Sequence, residues 1–171
     1  MIDRDAVRHT FVVGLRNAHA MEHQALSLMD RQIEHLAHYV EVETRLRSHR
    51  GETELQIERL RSILQGLGEG PSTLKDLTLE LGANLQALAH MMAPDEIIKN
   101  CLANYAFENF EAASYRALLV MADAGGFTDA IPLLEQSLRE EEAMVAFVEQ
   151  TLPQVVRRYL ALRASGDEAS H

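Results

Sequence analysis

The chain has 171 residues, 47% of them hydrophobic, one cysteine and a formal net charge of −10. This is enough for one domain with a buried core, and it excludes a disordered chain. The acidic balance argues against a nucleic-acid surface, the lone Cys101 excludes an internal disulfide and fits a reducing cytoplasm, and no apolar run is long enough for a membrane span.

The opening MIDRDAVRHT lacks a basic stretch followed by an apolar one, so no secretory signal is expected. Ala, Leu, Glu, Arg and Gln dominate and aromatic residues make up only 5%, which favours an all-helical chain. A first helix is expected from about Asp5 to about Ala37. Its inward row is Val7, Phe11, Leu15, Ala18, Glu22, Ala25, Met29, Ile33 and Leu36. After a weakly punctuated turn around residues 38–43, a second helix runs from Val42 to Gln65, with Leu46, Ile57, Leu60 and Leu64 inward and a glycine-rich stop at residues 66–71. Ser72 is placed to cap a shorter helix from Thr73 to about Met91, a crossover between two hairpins. Pro94, Asp95 and Glu96 open the third main helix. Ile97, Cys101, Tyr105, Glu108, Ala112, Tyr115 and Leu119 mark its inner side, and Gly125-Gly126 ends it. Thr128 and Asp129 open the fourth, whose inward row reads Ile131, Leu134, Leu138, Glu141, Val145, Val148 and Leu152. Pro132 is tolerated near its start, whereas Pro153 is expected to kink or break it and leave residues 154–163 as a separate short helix. Residues 1–163 thus form the domain, and residues 164–171 a small polar tail expected to fray.

One carboxylate interrupts the apolar stripe of each main helix: Glu22, Glu52, Glu108 and Glu141. A buried unpaired carboxylate is costly, so several in one core call for a cation or protons. Glu22 and Glu52 are equidistant from Ala37, and Glu108 and Glu141 are equidistant from the Ala124-Gly125 turn. In antiparallel hairpins such residues lie at one height, so each pair should face across its own hairpin. The two hairpins read as a duplication. His49 stands three before Glu52, Glu111 three after Glu108, and His19 and His23 flank Glu22. Hard dications such as iron(II) and manganese(II) accept carboxylate and imidazole together. Glu141 sits in a charged run, so a one-step register error would move that role to Glu140 or Glu142. His49 is equally balanced between ligand and outer partner. His19 and His23 read as outer partners or solvated groups, and His9, His35, His38 and His90 as ordinary residues. Tyr105, Tyr115 and Cys101 read as core, with a tyrosine hydroxyl placed to orient carboxylates.

The segments NAHAMEHQALSLMDRQIEHL, RLRSHRGETELQIERLRSILQGLGEGPSTLKD, DEIIKNCLANYAFENFEAASYRALLVMA and LLEQSLREEEAM resemble the YciF-like (YciE/YciF) branch of ferritin-like stress proteins over nearly the whole chain. The resemblance implies a ferritin-like antiparallel four-helix bundle with an additional crossover helix, a homodimer, and a dinuclear iron or manganese site. Carried over by position, the ligands are Glu22, Glu52, Glu108, Glu111 and Glu141, with His49 supplying a nitrogen. Glu108 and Glu111 also resemble the doubled glutamate of rubrerythrin-type sites. The chain departs from the usual Glu-x-x-His pattern, since the positions three after Glu52 and Glu141 hold Leu55 and Met144. Two functions follow as expectations. One is a dimetal-carboxylate protein with peroxide- or oxygen-linked oxidoreductase activity in a stress response. The other is a non-enzymatic structural or interaction protein that keeps a vestigial or structural metal site. A metal-free helical adaptor, with the glutamates on its surface, is a third. Leucines in residues 73–91 offer the apolar area that a homodimer would use.

Overall fold

A computed structural model describes residues 4–70 and 97–169. Among the described residues there are four α-helices and no strand: α1 (Arg4–Ile33), α2 (Val40–Gly66), α3 (Ile97–Gly125) and α4 (Ile131–Ser165). They form a helical bundle in which α1 packs on α2 and α3, and α4 packs on the same two. The expected helix over residues 73–91, the Ser72 cap and the Pro94–Glu96 start lie outside the described residues.

Cross-links fix the directions. At one end, Arg4 Nε donates to the Gly125 carbonyl at 3.4 Å and Phe11 stacks on Phe127 with ring centroids 4.9 Å apart. At the other end, Gln32 and Asn104 exchange two amide hydrogen bonds of 3.0 and 2.9 Å in the core. α1 and α3 are therefore antiparallel, as are the helices within each hairpin. α2 consequently ends, and α3 begins, at opposite ends of the bundle.

Rows of apolar side chains in steps of three and four bury Phe11, Leu15, Leu46, Leu60, Leu64, Ile97 and Leu134 at 2% exposure or less. Each such side chain contributes roughly 1.5–3 kcal/mol of transfer free energy. The α3–α4 turn depends on small residues. Gly126 has φ of 71°, and a Cβ on Gly125 would lie 2.2 Å from the Phe127 ring, which folds back to reach Phe11.

Three expectations are corrected. α1 stops at Ile33 rather than Ala37. The chain then turns through bonds from His35 N–H to Gln32 O and from Tyr39 N–H to Leu36 O. α4 is one helix of 35 residues, and Pro153 neither ends nor divides it. Proline removes one N–H, but the exposed Pro153 flanks Thr151, Leu152 and Val155, which keep the far turns packed on the bundle. Tyr105 is 36% exposed and is not a core residue. At the C-terminus, Gly166 caps α4 in the left-handed conformation, and Tyr39 Oη donates to the Ala169 carbonyl at 2.6 Å.

Candidate metal centre

Halfway along the bundle the apolar layers give way to polar ones. α1 contributes Glu22. α2 contributes His49, Thr53 and Gln56, α3 contributes Glu108, Glu111 and Tyr115, and α4 contributes Glu141 and Met144. All are 5% exposed or less. Each lies on the inward row of its helix, so the periodicity that buries leucines elsewhere buries carboxylates here.

His49 holds the centre. Its Nδ1 lies 2.8 Å from Glu52 Oε2, and its Nε2 lies 3.0 Å from Glu108 Oε2 and 3.5 Å from Glu141 Oε2. One ligand atom each from His49, Glu108 and Glu141 falls within 4.8 Å of the others, a grouping with the dimensions of a metal site. Tyr115 Oη donates to Glu22 Oε1 at 2.6 Å, and Gln56 Nε2 donates to Glu141 Oε1. The second oxygens of Glu22 and Glu141 and both oxygens of Glu111 are buried without a hydrogen-bond partner. Protein interiors rarely leave such atoms unsatisfied.

The electrostatics follow from this crowding. Burial raises the Glu22 carboxyl from 4.5 to about 8, against the opposing hydrogen bond from Tyr115. Burial first, then the charges of neighbouring glutamates, push Glu111 and Glu141 well above the usual carboxylate range. His49 is moved the other way relative to its burial: desolvation favours the neutral ring, but Glu108, Glu52 and Glu141 outweigh it and hold the pKa well above 6.5. Among the described residues, a single imidazolium faces four buried carboxylates, and none of the hydrogen bonds above joins a lysine or arginine to any of the four. Protons or a cation must supply the remaining positive charge. The donor set, carboxylate oxygens with one imidazole, suits iron, manganese or another hard-to-borderline dication. The partnerless oxygens make these residues a fit for such an ion.

Glu52 does not join this group. Its side chain is 29% exposed and is shared between Arg45, at 3.0 Å, and the outer nitrogen of His49. Burial favours the neutral form of its carboxyl, but hydrogen bonds from His49 and Arg45 prevail and lower its pKa. The expected facing of Glu22 and Glu52 across α1 and α2 is therefore replaced by Glu22 opposite Tyr115 of α3. The inward row of α2 runs Leu46, His49, Thr53, Gln56, Leu60, one residue out of step with Glu52. Leu55, where a second imidazole was expected, is 57% exposed and away from the site, whereas Met144 is buried in it. On α4, Glu140 pairs with Arg59 through two hydrogen bonds of 2.6 and 2.8 Å, and Glu142 pairs with Arg116 at 2.7 Å. Of the three consecutive glutamates, only Glu141 is inside. Thr53 and Gln56 went unnoticed in the sequence, although steps of three and four from Leu46 lead to both.

His19 and His23 lie on the α1–α2 side, their ring centroids 4.7 Å apart. Burial, then His23, lowers the His19 pKa to about 4. His9 and His35 are exposed and His38 is half-buried. Cys101 is buried, and desolvation raises its thiol to about 11. Among the described residues, no helix is long and apolar enough to cross a membrane.

The sequence signature of DUF892, a domain of unknown function, matches residues 6–161. A crystal structure of a protein from Xanthomonas campestris pv. campestris is similar at 26% identity, covering 92% of this chain and 99% of that one, with a TM-score of 0.77. The E. coli stress protein YciF matches at 19% identity over 89% of this chain and 98% of that one, with a TM-score of 0.74. YcfI from Rhodopseudomonas palustris matches at 24% identity over 87% and 98%, with a TM-score of 0.67. The YciF-like resemblance read from the sequence is borne out by these matches.

Proposed function

The chain belongs to the DUF892 family, and we propose that it is a ferritin-like metal-carboxylate protein. It holds iron or manganese between Glu22, His49, Glu108, Glu111 and Glu141. The observation that carries this reading is the set of buried carboxylate oxygens without partners, in a core where His49 is the one cationic group among the described residues. His49, Glu108 and Glu141 would hold one ion, and Glu22 and Glu111 would supply further oxygens. Glu52 acts from outside by fixing the His49 ring through Nδ1, the arrangement that commonly orients a metal-bound imidazole. Binding an ion requires that His49 release its proton, so affinity rises with pH.

Iron or manganese held by these residues would supply the redox chemistry for reaction with peroxide or dioxygen. This chain's residues surround that chemistry with a proton donor, Tyr115, on Glu22, and with an amide donor, Gln56, on Glu141. The apolar layers above and below exclude water.

A second reading, in which the ions support structure and no turnover occurs, is favoured by one observation. Thr53, Gln56 and Met144 fill inward positions where carboxylate or imidazole ligands would make a redox site. The likeness to an E. coli stress protein suits either reading, and assembly as a homodimer is part of the proposal in both. The test is elemental analysis and manganese(II) or iron(II) titration of untagged protein, followed by mixing of the loaded form with peroxide. The proposal expects binding that Glu141→Gln and Glu108→Gln abolish and Glu52→Gln only weakens. Binding with no consumption of peroxide would decide for the structural reading. Binding unaffected by Glu108→Gln and Glu141→Gln would overturn both.

A further inference from the structure

A second group of possible ligands lies one turn from the carboxylate core and serves nothing described so far. His19 and His23 are four residues apart on α1, so both rings project from one face towards α2. Their centroids are 4.7 Å apart and their planes are inclined at 66°. His19 is 6% exposed, and its Nε2 is buried with no hydrogen-bond partner. His23 is exposed and gives the pair access to solvent. An apolar surrounding alone gives no reason to bury an imidazole nitrogen unsatisfied.

The ring separation is informative. Two imidazoles bound to one dication through nitrogens at about 2.0–2.1 Å, at an angle between square and tetrahedral, place their centroids about 4.5–5.2 Å apart. The observed edge-to-face contact has a spacing inside that interval. Burial also keeps the His19 ring neutral down to about pH 4, so a lone pair remains free for a cation under ordinary conditions. The charged groups facing the pair are Glu58 and Arg61 on α2, which hydrogen-bond to each other. The charge of Glu58 acts on both rings.

We propose that His19 and His23 form a separate, nitrogen-rich site for one borderline divalent ion such as zinc(II) or copper(II). The chemistry separates this site from the carboxylate core. Imidazole pairs favour copper and zinc, whereas an oxygen-rich cage favours manganese and iron. One chain would then sort two classes of ion, with the imidazole site at the surface seam and the carboxylate site inside.

The test uses untagged full-length protein, freed of metal with a chelator, and copper(II) as the probe. Electron paramagnetic resonance reads the number of nitrogens on the copper, and calorimetry with zinc(II) reads stoichiometry and affinity. The expected spectrum shows two nitrogen ligands and persists in His49→Gln, which removes the imidazole of the core site. His23→Gln, at an exposed position that leaves folding intact, should abolish the two-nitrogen signal. It should also weaken zinc binding by at least roughly 10–100-fold, the scale on which even outer partners of metal ligands act. His35→Gln, at another exposed histidine, should change neither. A two-nitrogen signal that survives in His23→Gln, or zinc binding equal in His23→Gln and the parent protein, would overturn the assignment. Loss of the signal in His49→Gln alone would place the copper in the carboxylate core and overturn it as well.

Discussion

Replacing Glu22 by glutamine tests the electrostatic reading of the core in the metal-free protein. The amide keeps the shape of the carboxyl and still accepts the 2.6 Å hydrogen bond from Tyr115. Its NH2 replaces an oxygen that has no partner. Glu22 has a pKa of about 8 in the folded state against 4.5 as the ordinary value. The folded protein thus binds this proton more tightly than the unfolded chain, and stability falls as pH rises through that interval. The lost stability is roughly 3 kcal/mol at pH 7 and at most roughly 5 kcal/mol above pH 8. His49, with its raised pKa, contributes in the same direction, its stabilisation being full below 6.5 and lost as pH climbs through the folded value. His19 acts oppositely and loses stabilisation as pH falls from 6.5 towards 4. The difference between Glu22→Gln and the parent protein cancels the contribution of His19 and reads the Glu22 carboxyl together with its coupling to His49, Glu111 and Glu141. Urea denaturation in chelator should show the variant equal to the parent near pH 4.5 and more stable by several kcal/mol at pH 8.5. Added manganese(II) should reverse the order at pH 8.5, because the variant loses a ligand. A stability difference that does not vary with pH would refute the argument that Glu22 is buried without a compensating charge.

Further outcomes follow from the same geometry. Met144→His should create a Glu-x-x-His pair with Glu141 inside the site, and manganese or zinc affinity measured by calorimetry should rise at least roughly tenfold. Gly125→Ala should lower thermal stability, by roughly 1–3 kcal/mol from overpacking, because its methyl would collide with the Phe127 ring. Pro153→Ala should instead raise stability, by up to roughly 3 kcal/mol, by restoring a helical N–H within the continuous α4. Both are read by denaturant midpoint.

Much of this arrangement is written in the sequence because burial follows a period. Glu22, Glu108 and Glu141 were identifiable because each replaces an apolar residue within a stripe of leucines, alanines and tyrosines, and Glu111 because it follows Glu108 by three. Glu141 could be separated from Glu140 and Glu142 by that register alone, and the structure pairs those two with Arg59 and Arg116 instead. On α2 the same logic slipped. The middle of its inward row is His49, Thr53 and Gln56, so no apolar stripe marked the face, and the charged Glu52 beside it attracted the assignment. The Arg45 contact that holds Glu52 at the margin is made within α2, across seven residues of the same helix. Pro153 misled for a similar reason, since local propensity predicts a break while packing on both sides maintains the helix. Helix ends near residues 33–40 were blurred because no glycine or proline punctuates them.

The central claim is that Glu22, His49, Glu108, Glu111 and Glu141 surround metal. Crystals of the protein soaked in manganese(II), measured above and below the manganese absorption edge, address it directly. The account predicts an anomalous peak bounded by these five side chains, with His49 Nε2 among its ligands and Glu52 outside. A core free of anomalous density, with manganese only on exposed carboxylates, would contradict it.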